Sequence, residues 1–303
     1  MVKRLLLILL ITLFVKLQVQ SQPVIYSIQA HQDDWQLFMS SKIITDLYAG
    51  SKVVFITLTA GDGGCGFCDY TPAREIGSVY SAKFAVDLTN TATPPADVPV
   101  ASIVNINSHN IKKYVYKNSV NYFLRLPDGS LNGSGFPGTG NQSLQRLKNN
   151  NIPMTAVDNS ATYTTWANLT TTIKAIINAE KITGRQGWIY SASLNTTNNS
   201  NPPNPTYNFN DHSDHLYTAT AARDAVPVVD MAWVGIYEFV DYYSSALPAN
   251  LTPAAHENAS IIFSHEALGI TLAEFRNEFT SDHQIWLPMD YFGLFRNAVG
   301  NAN

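Results

Sequence analysis

Residues 24–34 read Val24-Ile25-Tyr26-Ser27-Ile28-Gln29-Ala30-His31-Gln32-Asp33-Asp34. The first five are β-branched, aromatic or small, a composition that suits a strand packed on both faces. The run ends in a histidine and two aspartates. A second β-rich run, Ser51 to Thr59, ends in Gly61-Asp62-Gly63-Gly64. Between the two, Gln36 to Leu47 suits a helix, and Pro72-Ala73-Arg74-Glu75 opens another that runs to about Val86. Strand, helix, strand, helix predicts an α/β, Rossmann-like fold: a mostly parallel sheet with helices on both faces.

Further strands are expected at Ser102–Ile106, Asn121–Leu126, Gln186–Ser191 and Ala232–Phe239, and helices at Thr164–Ala179 and Asp214–Ala225. Pro127-Asp128-Gly129 has turn composition. Segments 128–143 and 194–210, rich in Gly, Asn and Pro, are expected as long surface loops of the kind that border sites. No internal repeat and no linker divides the chain. In open α/β sheets ligands gather beyond the carboxyl ends of the strands. His31 to Asp34, Gly61 to Gly64 and Asp128 all follow expected strands.

Lys3 and Arg4 precede an apolar run, Leu5 to Val15, broken only by Thr12, and Val19-Gln20-Ser21 suits cleavage. Residues 1–21 therefore read as a secretory signal peptide, with an uncleaved anchor as the alternative. The rest, 22–303, reads as a single domain with a C-terminal extension from about 241. The expected location is secreted or periplasmic, with no stable membrane insertion after cleavage. The formal net charge is −4, and losing Lys3, Arg4 and Lys16 would make it −7. No basic run stands out, which disfavours nucleic acid as a partner, since phosphate neutralisation needs clustered Lys and Arg. The only cysteines, Cys65 and Cys68, form a CxxC. Export favours a local loop disulfide; free or metal-bound thiols and a redox pair are the alternatives.

A second polar block, His212-Ser213-Asp214-His215, joins the first. His31 and Asp34 are three residues apart, which puts both on one side of a tight turn or first helical turn. An imidazole and a carboxylate suit zinc, and either His212 or His215 would serve as a third ligand, leaving a position open for water. Asp33 is placed to act as general base. The remaining histidine would stabilise an oxyanion or protonate a leaving amine, with Asp214 fixing its tautomer. Adjacent aspartates after a strand also serve as plain turn or cap residues, and histidines at i, i+3 as surface residues.

The two blocks resemble the paired HxDD and HxDH motifs of the PIG-L/LmbE zinc deacetylases, which remove acetyl groups from N-acetylglucosaminyl compounds. The resemblance extends to Thr59-Ala60-Gly61-Asp62-Gly63-Gly64, the Arg74-Glu75 helix start and Leu126-Pro127-Asp128-Gly129, covering roughly residues 24–240. It implies Zn2+, with Fe2+ also fitting, held by His31, Asp34 and His215. It implies Asp33 as base, and His212, oriented by Asp214, polarising the amide carbonyl. Arg74 and Asp128 would bind hydroxyls of an N-acetylated amino sugar or glycoconjugate; their plainer readings are a helix-start salt bridge and a turn residue. The blocks depart from the family at Gln32, Trp35 and Ser213, where it usually has proline, glutamate and proline. Trp35 is read as a substrate-stacking residue, or as one packed under the sheet. His256, His265 and His283 are expected to be structural or surface residues.

Two other functions fit the residues. One is a carbohydrate-binding protein on a degenerate deacetylase scaffold; the other is a zinc hydrolase of a non-sugar amide. The absence of a His-Glu-x-x-His helix weighs against the commonest metallopeptidase class.

Overall fold

A computed structural model describes residues 22–89, 98–197, 206–226, 234–274 and 277–299. The leader, residues 198–205 of the second expected loop and the start of the strand expected at Ala232 lie outside the described residues. The strands are β1 (Val24–Gln29), β2 (Lys52–Thr59), β3 (Val100–Ile106), β4 (His109–Tyr116), β5 (Ser119–Leu126), β6 (Met154–Thr155), β7 (Thr162–Tyr163), β8 (Gly187–Ala192), β9 (Val234–Phe239) and β10 (Phe292–Val299). The helices are α1 (Asp34–Phe38), α2 (Ser40–Tyr48), α3 (Tyr70–Thr89), α4 (Leu144–Asn150), α5 (Trp166–Glu180), α6 (Ser213–Ala225), α7 (Pro253–Glu274) and α8 (Ser281–Gln284).

One eight-stranded sheet has the order β10-β9-β8-β1-β2-β5-β4-β3. The five middle strands, β9 to β5 in that order, pair in parallel. The flanking β10, β4 and β3 join antiparallel. Every residue of β1 is buried, because strands lie on both sides and helices on both faces. Val24, Tyr26 and Ile28 enter one core with Ile173 and Ile177 of α5 and Ala222 of α6. Ile25 enters the other with Phe38, Ile43, Ala82 and Phe263. The expected α/β sheet with two covered faces is thus the fold observed.

Two differences have physical causes, and the segment after 241 takes a defined place. The helix expected over 36–47 is broken at Met39, whose φ of −130° and ψ of 1° separate α1 from α2. Strand β4 was not expected; its mixed Lys, Asn and aromatic sequence fits the polar, partly exposed outer part of the sheet. Residues after 241 join the same body: β10 pairs with β9, and α7 packs along α3. Among the described residues no helix is long and apolar enough to cross a membrane.

Chain order makes a switch point at β1. The chain leaves β1 toward β2 on one side, while β8 lies on the other. The crevice past β1, where ligands gather in such sheets, receives the loops following β1, β2, β5, β8 and β9.

Asp290, just before β10, ties this last segment down. It is buried; its Oδ2 accepts the Lys42 N–H at 3.2 Å, and its own N–H donates to Asn250 Oδ1 at 2.8 Å. Burial pushes its carboxyl up to about 7, against about 3.9 in an unfolded chain. Between those values the folded protein keeps a proton the unfolded chain has lost, so this group's contribution to stability falls as pH rises through the window. The melting temperature of wild type is expected to drop more between pH 5 and 8 than that of Asp290→Asn, which has no such proton. Equal slopes in calorimetry would contradict this.

Candidate metal and active site

Asp34 opens α1, and its Oδ2 accepts the N–H groups of Ala30 at 2.9 Å and His31 at 3.0 Å. That fixes the carboxylate and turns Oδ1 toward two imidazoles. Oδ1 lies 3.5 Å from His31 Nδ1 and 3.2 Å from His215 Nε2, and the two nitrogens are 3.1 Å apart. Ligand atoms at about 2.0–2.1 Å from a tetrahedral zinc stand roughly 3.3 Å from one another. The three edges match that spacing, and all three residues are buried. The sequence left His212 and His215 open as third ligand; His215 completes this triangle.

His215 sits on the first turn of α6. Its Nδ1 faces Asp211 Oδ1 at 2.8 Å and Asp241 Oδ2 at 3.2 Å. This is the carboxylate backing that metal-ligating histidines commonly have. Neither aspartate was singled out from the sequence. Asp211 lies one turn before His215, a signal available in the i, i+4 spacing. Asp241 follows the carboxyl end of β9 and is brought in only by the tertiary fold.

His212 caps α6: its Nδ1 accepts the Asp214 N–H at 3.1 Å. In the neutral ring the proton therefore sits on Nε2. Burial, with His31 and His215 alongside, lowers this imidazole to about 2. The tautomer is thus set by the backbone of Asp214, a correction to the expected role of its carboxylate. That carboxylate accepts the Gly129 N–H at 2.8 Å and lies 3.7 Å from His31 Nε2. A Cβ at Gly129 would collide with it, so only glycine lets this turn approach. Burial would lower His31, but Asp34 and Asp214 prevail and raise it to about 10.

Asp33 lines a cavity of about 500 Å³ beside the triad. Its Oδ1 accepts a 2.6 Å bond from Arg74 Nη2, and its Oδ2 is 3.9 Å from His283 Nε2. Arg74 Nη1 donates to Gly61 O at 2.8 Å. Arg74 thus borders the cavity, but two of its donors hold protein groups, as in the salt-bridge reading. Asp128 also lines the cavity; its Oδ1 accepts the Ser130 N–H at 2.7 Å. Trp35 corrects the stacking expectation. It is 0 % exposed, packs on Phe55 at 4.8 Å and donates from Nε1 to Ser78 Oγ at 3.4 Å. One residue into α1, it points beneath the sheet.

The C-terminal segment supplies the opposite wall. Tyr242 stacks on Trp286 at 4.9 Å, and its ring centroid is 5.0 Å from that of His215. His283, expected to be structural or surface, borders the cavity too. Cys65 and Cys68 are joined in a disulfide. Further along the same cleft lie Asp62 and the glycine turn.

No protein-family model matches the chain, and no curated protein matches it. Among solved structures, the zinc-inhibited form of teicoplanin deacetylase Orf2 is similar, with a TM-score of 0.42 and 12 % identity over 82 % of this chain and 84 % of that one.

Two measurements test the site. Elemental analysis of the purified chain is expected to find about one divalent ion, lost in His215→Ala and kept in the exposed His256→Ala. Trp35→Ala is expected to cost about 3–5 kcal/mol in denaturant unfolding, the range for emptying a large core site. A loss below about 1 kcal/mol would return Trp35 to the surface of the cavity.

Proposed function

We propose that this protein is an exported, metal-dependent amidohydrolase that removes the acetyl group from an N-acetylated amino sugar. The observation that carries the reading is the buried triangle of His31 Nδ1, Asp34 Oδ1 and His215 Nε2, whose edges suit a tetrahedral ion, with Asp33 on the adjoining cavity wall. Three protein ligands and an open position are the arrangement of catalytic rather than structural zinc. The amino-sugar substrate rests on the resemblance of the two motif blocks. Export is supported by the leader-like residues 1–21 and by the Cys65–Cys68 disulfide, which suits an oxidising compartment.

Zn2+ held by His31, Asp34 and His215 would supply Lewis acidity and would lower the pKa of water there toward about 7. The protein groups then have separate tasks. Arg74 anchors Asp33 through Oδ1, leaving Oδ2 to take the water proton as its oxygen adds to the amide carbon. His212 donates from Nε2 to the carbonyl oxygen as it gains charge, because its Nδ1 is occupied by a backbone N–H. The C–N bond breaks as the proton passes to the departing nitrogen, giving acetate and a free amine. Asp214 and the Asp211–Asp241 pair orient the imidazoles of His31 and His215. Asp128 is assigned to sugar hydroxyls. Arg74, with two donors committed, acts chiefly through Asp33.

Asp33→Asn is expected to retain the metal and the fold while acetate release from N-acetylglucosamine compounds falls by about 10²–10⁴-fold. Removing the metal with a chelator should abolish the same release, and zinc should restore it. Wild-type turnover in Asp33→Asn would remove the base assignment. Sugar binding without metal would instead favour the carbohydrate-binding alternative.

A further inference from the structure

The cleft does not end at the triad cavity. A second cavity of about 480 Å³ adjoins it, with the Gly61–Gly63 turn and the Cys65–Cys68 disulfide as its outer wall. Tyr70, Arg74 and Asp128 line both cavities and form the boundary between them. Each volume lies in the range of about 300–1,000 Å³ that holds a small ligand. The CxxC loop, which the hydrolytic chemistry leaves unused, is therefore part of the same cleft.

This wall is held from several directions. Asp62 Oδ2 accepts the N–H groups of Gly64 at 3.1 Å and Gly66 at 2.8 Å, while its Oδ1 accepts the Asp128 N–H at 2.8 Å. One buried carboxylate thus shapes the loop and ties it to the Asp128 turn. Thr71 Oγ1 donates to Gly66 O at 2.9 Å. Gly64, at a φ of +86°, lies under the Phe136 ring, where a Cβ would collide. The disulfide closes the remaining side. Asp62 is committed inward, so what faces a ligand is the Asp128 carboxylate, peptide groups of the glycine turn, and the Tyr70 ring, 5.6 Å from the Arg74 guanidinium. An aromatic ring among polar groups, beside a wall of backbone, suits a hydroxylated ring better than an alkyl chain.

We propose that this second cavity binds the sugar residue linked to the one being deacetylated, so that the substrate is an oligosaccharide or glycan chain rather than a free monosaccharide. The proposal rests on the amino-sugar reading above. A single sugar with its amide at His31, Asp34 and His215 would occupy the first cavity, which Tyr70, Arg74 and Asp128 separate from the second. Its neighbour in the chain would pass between them and lie against the disulfide loop.

The test uses the full chain loaded with zinc, and N-acetylglucosamine with its β-1,4-linked dimer and trimer as probes. The dimer is expected to show kcat/KM at least about tenfold above the monomer, mostly through a lower KM. That gain should shrink below about threefold in the double variant Cys65→Ser/Cys68→Ser and, separately, in Gly63→His. Gly63 has open space where a Cβ would stand, and histidine tolerates its φ of +55° better than most residues. Metal content and a cooperative melt establish that each variant is folded, and either folded variant suffices. A dimer no better than the monomer, or a gain that survives in the variants, overturns the second subsite while leaving the deacetylase reading standing. No turnover of any of the three sugars overturns the amino-sugar reading, and the subsite with it.

Discussion

The rest of the site depends on how its buried carboxyl groups are balanced. The side chains of Asp34, Asp211, Asp214 and Asp241 are at most 5 % exposed, gathered around the imidazoles of His31 and His215. Carboxylates in a low-dielectric interior need positive charge or a proton. Burial and the neighbouring Asp211 push Asp241 far up, while Asp34 and Asp211 overcome burial to raise His215. A divalent ion among His31, Asp34 and His215 would take over as the positive partner, since its ligands must shed their protons to bind it. The backbone bonds to Asp34, the carboxylates behind His215 and the glycine beside Asp214 all keep these groups close against their own repulsion and desolvation.

Much of this was legible in the chain. β1 and β2 could be read because buried parallel strands have continuous apolar runs with strong β preference. The two His/Asp blocks could be read because their members act over three residues, within one turn. Tertiary position was harder to see. Trp35 is next to Asp34 in sequence, yet one step along a helix turns a side chain by about 100°, enough to carry it from the cavity into the core. The role of the Asp214 carboxylate is hidden for a related reason: the group bonded to His212 Nδ1 is a cap amide, which residue type alone does not reveal. β4 lacks the apolar run that marks a central strand, and its place beside β5 comes from a hairpin turn at Lys117, which has positive φ.

The C-terminal segment shows where local reading stops. After β9 the chain delivers Asp241 to His215 and Tyr242 to the cavity wall. It then runs through α7 along α3 and returns with His283 and Trp286. None of these residues has a recognisable spacing to the motif blocks, because what joins them is the position of β9 next to β8 and the packing of α7. Residues 24–240 alone therefore contain His31, Asp34 and His215 and the proposed base Asp33, but only one side of the cleft.

The two sides differ in chemistry, and the difference gives the cleft a direction. One side is made by the β2 loop, Arg74 and Asp128, and is rich in peptide groups and charged side chains. The other carries the rings of Phe38, Tyr242 and Trp286, which contact one another beside His215, together with the polar Glu278, Asp282 and His283. The metal donors lie between them. Under the amino-sugar reading an amide spanning the triad has unlike ends, a methyl group and a hydroxylated ring. Burying the methyl against aromatic rings is favourable, whereas turning the ring's hydroxyls there would strip them of hydrogen bonds. Under that reading the preferred orientation would put the acyl group toward Tyr242 and Trp286 and the sugar toward Asp128. It is also the orientation that would direct a linked sugar toward the disulfide loop, so the asymmetry of the walls and the position of the second cavity point the same way.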